Sequence, residues 1–272
     1  LTGRLREAIP GLADVGAGQS RFAVLRRSRL QDSGRHAELQ VQLAALLDTQ
    51  IRAAAFPGAV AMVTVGGEVV AEVARGRYSY EVAAKPVELH TRYDLASLTK
   101  VCATLPALAV LLENGAMHLD DRLSQWLPDF TGPAKSTVTL RQVAVHGAGV
   151  KPWAPFYRTL QGKSPFVEAA TKQALVAAPL SQYQYSDLGM ILLMAAIEQG
   201  AQQPMDEFVR RYVYPKLGVH AVFVPSGQRI PAAPTEQDAW RGRVIRGEVH
   251  DENAFAMGGV SGHAGLFGIP EL

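Results

Sequence analysis

The chain has 272 residues, 48% hydrophobic and 19% charged, with a formal net charge of +2. That length suits one large domain or two lobes, and the near-neutral balance argues against an electrostatic partner such as DNA. Cys102 is the one cysteine, which excludes an internal disulfide, and no apolar run reaches membrane-spanning length, because Val101 to Leu112 is broken by Thr104 and Pro106.

Residues 1–35 carry Arg4, Arg6, Arg21, Arg26, Arg27, Arg29 and Arg35 with only short apolar runs. They read as a poorly structured extension. A basic arm for nucleic acid or acidic lipid is disfavoured, because Phe22 is its only aromatic. Leu39, Leu43, Leu46, Leu47 and Ile51 recur at helical spacing and predict a first helix over about 37–55. Two β-rich runs follow, Ala59 to Val65 and Glu68 to Ala74, joined by Gly66-Gly67, which predicts a hairpin. A helix is expected from Val101 to Leu112, kinked or locally opened at Pro106 and ended by Asn114-Gly115. Short helices are expected over 119–127, stopped by Pro128, and over 139–145 with Thr139 as N-cap. Longer ones are expected over 164–177, 186–199 and 205–217, and 231–251 reads as irregular. The sum is an α+β architecture: an antiparallel sheet flanked by helices, plus a helical lobe. In domain terms, 1–35 is the extension and 36–272 a single partial domain. Within that domain, 36–96 forms the helix and hairpin, 97–217 the helical lobe and 218–272 an irregular cleft wall.

Ser97-Leu98-Thr99-Lys100 opens the apolar helical stretch and is the S-x-x-K of this chain. One helical turn puts the hydroxyl and the amine on one face. A serine hydroxyl becomes a nucleophile when a neighbouring base takes its proton, and a lysine held neutral can be that base. Unpaired backbone N–H groups at a helix N-terminus can face a developing oxyanion. A second constellation, Tyr183-Gln-Tyr185-Ser-Asp187-Leu-Gly189, precedes another apolar run. A tyrosine hydroxyl near the lysine can relay protons to and from the serine.

Ser97-x-x-Lys100 followed by Tyr185-Ser-Asp187, with helices between, resembles the serine β-lactamase and DD-peptidase superfamily, in its class C-like branch of related serine hydrolases. Five further stretches are similar to that branch. They are Phe56-Pro-Gly-Ala59, Tyr93-Asp-Leu-Ala-Ser97, Leu140 to His146, Glu248-Val-His-Asp-Glu-Asn-Ala254 and Gly258-Gly-Val-Ser-Gly-His-Ala-Gly-Leu-Phe267. The resemblance implies an acyl-transfer enzyme that attacks an ester, amide or β-lactam carbonyl. Ser97 would be its nucleophile and Lys100 and Tyr185 its proton carriers, with no cofactor and no metal. Its substrate would be a small-molecule or peptide acyl compound. Asp187, His250, Asn253 and His263 are candidate supporting or substrate-binding residues.

Two departures from the family pattern bear on function. Where relatives carry Tyr-x-Asn, this chain has Tyr185-Ser-Asp187; the carboxylate lacks an amide donor and favours a charged lysine. The family's third motif, Lys/His-Thr/Ser-Gly, has no full match, and His263-Ala-Gly265 shares only its outline. Because that motif supplies an oxyanion donor, a chain cut short before the remaining sheet strands is expected, with weak activity by itself. The alternative function is a catalytically silent module of the same fold that binds peptidoglycan-like peptides or a partner. A metal site at His250, Asp251, Glu252 and His263 lacks the H-E-x-x-H spacing. His146 reads as a buried histidine fixing a loop.

Overall fold

The computed structural model describes residues 26–27 and 34–270, with side chains from residue 36 onward. Most of the arginine-rich extension therefore lies outside the described residues. Within it, Arg26–Arg27 (β1) pair in parallel with Glu68 and Val69.

Helix α1 (Gly34–Arg52) lies against the hairpin of β2 (Gly58–Val65) and β3 (Glu68–Gly76). Ala44 and Leu47 of the helix pack with Val73 of the sheet. The Gln40 amide locks the register of the two layers by bonding both the N–H and the carbonyl of Glu72. Gly66 and Gly67 both have positive φ, 60° and 82°, as a two-residue turn with the strands' own twist demands.

The helical lobe is built round α2 (Leu105–Glu113) and α6 (Asp187–Ala201). Every residue of α6 from Leu188 to Ile197 is buried, which is why its sequence shows no polar face. Smaller helices surround it: α3 (Leu123–Trp126), α4 (Leu140–Ala144) and α5 (Lys163–Lys172). Thr139 does cap α4, and Gln142 completes a capping box. Helix α5 ends before the expected residue 177. Its chain turns extended at Gln173, and the Val176 N–H goes to the Gly149 carbonyl instead of the helix ladder.

The expected helix over 205–217 is interrupted, and the nucleophile helix opens just before Pro106 as its sequence suggests, for one reason. The stretch over 205–217 divides into α7 (Met205–Phe208), a π-helical turn over Val209–Val213 and α8 (Tyr214–Leu217). The nucleophile helix likewise begins with a 3₁₀ turn (Ala96–Leu98) and a π turn (Lys100–Thr104) before α2. Each π turn ends two residues before a proline, Pro106 or Pro215. A proline cannot donate to the carbonyl four residues back and crowds it, and the wider turn relieves that crowding. Contrary to the expectation that no run is long enough, 96–113 has a mean hydropathy of 1.4, enough by length and composition to cross a bilayer, because Thr104 and Pro106 do not break the helix. In the fold the stretch buries Ala103, Ala107, Leu108 and Leu111 in the lobe's core.

The last segment is more ordered than its sequence suggests. Residues 231–251 contain an antiparallel hairpin, β6 (Pro234–Asp238) with β7 (Arg243–Arg246). Its strands are short and mostly exposed, with only Asp238 and Ile245 buried, so no alternation marks them. A buried Asp238–Arg241 ion pair closes the turn, and Arg241 also reaches the carbonyls of Val249 and His250. After α9 (Glu252–Ala256), strand β8 (Leu266–Gly268) pairs with β4 (Tyr93–Asp94) on one side and β5 (Val222–Phe223) on the other. That pairing brings residues 261–268 beside the start of the nucleophile helix.

Candidate active site

Strand β4 ends in Asp94, whose carboxylate holds the next turn. One oxygen accepts the Ala96 N–H and the other the His250 N–H, each at 2.8 Å. Burial pushes the Asp94 carboxyl up, against the pull of those two N–H groups. Ala96 has φ of 45°, a left-handed backbone that costs a non-glycine residue energy and clusters at functional sites. The 3₁₀ turn that follows presents Ser97.

Lys100 is 4% exposed and sits among three acceptors. Its Nζ lies 2.9 Å from Ser97 Oγ, 2.9 Å from the His263 carbonyl oxygen and 2.8 Å from Asp187 Oδ1. The ring of Tyr185 lies alongside, its centre 4.8 Å from Nζ. A neutral amine can donate one N–H to the His263 carbonyl and turn its lone pair to the Ser97 hydroxyl proton; an ammonium donates to both and pairs in charge with Asp187. The same neighbours therefore serve both states of the amine.

Asp187 is placed by the N-terminus of α6. Ser186 caps that helix by accepting the Gly189 N–H, and its own hydroxyl donates to the Lys151 carbonyl. The Ser186 N–H is taken by His146 Nδ1 at 3.1 Å, and the His146 ring stacks at 4.5 Å on Tyr185. His146 thus fixes the loop that carries Tyr185, but it is half-buried and lines the cavity, not the buried histidine its sequence position suggests. Burial, with the charge of Lys100 adding to it and that of Asp187 opposing, holds the imidazole below its ordinary value of 6.5. A depressed histidine binds its proton less readily folded than unfolded. Its contribution to stability is complete above about pH 6.5 and is lost as pH falls through the lower folded value. The melting temperature should therefore drop on acidification below pH 6. His146→Asn, whose amide oxygen can take the same N–H and which tolerates the left-handed backbone here (φ 57°), should flatten that drop in melts from pH 5 to 8.

The remaining sequence candidates fall elsewhere. Asn253 is 1% exposed and bridges the Tyr157 N–H and the Ala154 carbonyl, so it fastens one loop to another instead of lining the cleft. His250 faces Glu236, its Nε2 3.6 Å from the carboxylate, and touches the site only through its main chain on Asp94. The His263 ring is buried and turned away from the cleft; its carbonyl is what meets Lys100. The residues that sequence reasoning passed over are mouth residues. A cavity of about 550 Å³ at Ser97 is walled by Leu98, Val101, Leu105 and Tyr183 as well as His146 and Tyr185. Leu98 and Val101 are exposed apolar residues on the helix turn beside Ser97, which is the one signal that could have found them.

A helical lobe beside a hairpin sheet, with a serine and a buried lysine one turn apart at their seam, is the layout of the β-lactamase/transpeptidase-like fold. The solved structure of EstCE1, a hydrolase with promiscuous acyltransferase activity, shares it with a TM-score of 0.67 at 22% identity, over 87% of this chain and 71% of that one. A class C β-lactamase mutant does so at 0.68 and 18% identity, over 90% and 64%. The chain belongs to the Beta-lactamase family, whose profile matches residues 43–271. A protein of Escherichia coli (strain K12) that bears the provisional name D-alanyl-D-alanine carboxypeptidase is 36% identical over 65% of this chain and 48% of its own length. The chain spans about half to two thirds of the length of the curated relatives it matches.

Proposed function

We propose that the protein is a serine hydrolase that works through an acyl-enzyme. The observation that carries this reading is the 2.9 Å contact between the buried Lys100 amine and Ser97 Oγ. Lys100 takes the hydroxyl proton as Oγ bonds to the substrate's carbonyl carbon. The Ser97 N–H is one donor to the resulting oxyanion. The tetrahedral adduct then collapses, and the leaving group departs with a proton passed from Lys100, with Tyr185 as the relay. Water reverses the sequence, releases the acid and restores Ser97. The substrate is a small-molecule or peptide ester, amide or β-lactam. The name of the Escherichia coli relative supports a peptide ending in D-alanyl-D-alanine. Loss of label and of turnover on removing the nucleophile tests this. Ser97→Ala should take up no fluorophosphonate or fluorescent penicillin, and its p-nitrophenyl ester hydrolysis should fall on the order of a thousandfold or more.

A second reading, a silent binding module of the same fold, is favoured by Asp187 and by the lack of a full third motif. With that carboxylate at 2.8 Å, an ion-paired ammonium has no lone pair for the serine proton. Equal ester hydrolysis by wild type and Ser97→Ala would select it.

A further inference from the structure

The acyl-transfer reading uses the carbonyl of His263 and leaves its ring unexplained. That ring is 1% exposed yet fully engaged: Nδ1 lies 2.7 Å from Ser261 Oγ, and Nε2 lies 2.9 Å from Asp251 Oδ1. Serine, histidine and aspartate in this order have the outline of a second nucleophilic triad. Ser261 is 0% exposed, however, so no substrate reaches its hydroxyl. Any role it has is therefore inside the protein, and its main chain meets Lys100 through the His263 carbonyl.

The protons can be assigned. Burial works to raise the Asp251 carboxyl, but the facing His263 ring, the Ala254 N–H and the charge of Lys100 outweigh it and leave a value of about 2. Asp251 is thus an acceptor, and Nε2 must carry a hydrogen. In the neutral ring Nδ1 accepts the Ser261 O–H. In the charged ring Nδ1–H donates to Ser261 Oγ, whose own hydrogen can turn to Met257 Sδ at 3.4 Å. The ring is gripped at both ends in either state.

A gripped ring fixes the peptide it hangs from. Residues 262–266 are also tied to the nucleophile segment: the Thr104 hydroxyl donates to the Gly262 carbonyl, the Leu266 N–H to Thr99 Oγ1, and the Leu95 N–H to the Leu266 carbonyl. Asp251 in turn is fixed by capping α9 through the Ala254 N–H. The charged and titratable groups round the ring are Asp251 at Nε2, Lys100 across the peptide, and, beyond Asp251, Asp94 with His250.

We propose that His263 is a positioning residue: its ring, clamped between Ser261 and Asp251, holds its own carbonyl where that oxygen aligns the Lys100 amine on Ser97. This rests on the reading of Ser97 and Lys100 as nucleophile and base. The alignment acts on acylation and not on substrate binding, because neither the ring nor Ser261 lines the cavity.

The test is the pre-steady-state burst of p-nitrophenyl acetate with the purified chain and three variants, each checked by thermal melt. His263→Leu should lower the acylation rate constant about 10- to 100-fold, the scale of a misplacement of an ångström or less, with the substrate dissociation constant within about twofold. His263→Gln should recover to within about fivefold of wild type, since its amide N–H can reach Asp251. Ser261→Ala removes one grip with minimal change of volume and should cost about 3- to 10-fold at an unchanged melt. A folded His263→Leu that acylates at the wild-type rate overturns the proposal, as does a Gln variant no better than Leu. If the Leu variant does not fold, wild-type acylation by Ser261→Ala overturns it. A burst that is absent from wild type, or that survives in Ser97→Ala, removes the underlying hydrolase reading instead, whatever the His263 variants do.

Discussion

Lys100→Met should slow acylation about 10²- to 10⁴-fold, the span ascribed to a positioned general base. The same substitution should destabilise the protein. It removes the cation from a pair in which the lysine side chain is 5% and the Asp187 side chain 21% exposed. Stranding one member of a buried pair costs up to about 3–5 kcal/mol, less where water still reaches the survivor. The two effects can be separated. Adding Asp187→Asn to Lys100→Met removes the stranded charge, so the melt should recover while acylation stays low. A double-mutant cycle on melting and on burst rate gives both coupling energies from four proteins. Should the double variant regain acylation, a group other than Lys100 takes the serine proton.

Gly262→Ala should be nearly as damaging, by a different route. A Cβ at Gly262 would lie 2.3 Å from the Met190 carbonyl oxygen and 2.7 Å from Met194 Cβ, both on the rigid α6. Neither atom is the loose end of a side chain, so the 261–263 segment must back away from the helix. Overpacking of this kind costs about 1–3 kcal/mol. The displaced segment carries the Gly262 and His263 carbonyls, the acceptors for Thr104 and Lys100. Activity should therefore fall further than the melt alone accounts for, by about tenfold or more for a shift of several tenths of an ångström. Gly258→Ala makes the control: its added Cβ meets nothing within 4 Å, though its φ of 111° strains the backbone. It should lower the melt without a selective loss of acylation.

How much of this was legible in the sequence depends on what carries the information. The hairpin and the Ser97–Lys100 pair are local, set by side-chain identity and by a fixed spacing, and both read directly. Tyr185 and Asp187 needed the family resemblance, because nothing within their own segment points at residue 100. The main-chain acceptor at His263 could not be read at all: every residue has a carbonyl, and only the fold says which one meets an amine. The same blindness explains why His250, Asn253 and His263 drew attention as side chains. Two of them act through main chain or on loops, and the third grips from behind. The β6–β7 hairpin escaped because its short strands bury one residue each, Asp238 and Ile245, and so lack the alternation that betrays a half-buried sheet. The two-residue strand β4 is too short to leave any pattern.

The distance along the chain between Lys100 and its carbonyl acceptor has a consequence for synthesis. The two are 163 residues apart, and the Thr99 and Thr104 ties span 167 and 158. Contacts that remote close late, since the entropy of a long loop must be met before they form. A ribosome-bound polypeptide that has emerged only as far as α6 already displays its serine, its amine and its phenol. It still lacks the carbonyl oxygen that meets the amine, so, with Ser97 and Lys100 as nucleophile and base, acylation is expected to stay slow until residue 263 has emerged and docked.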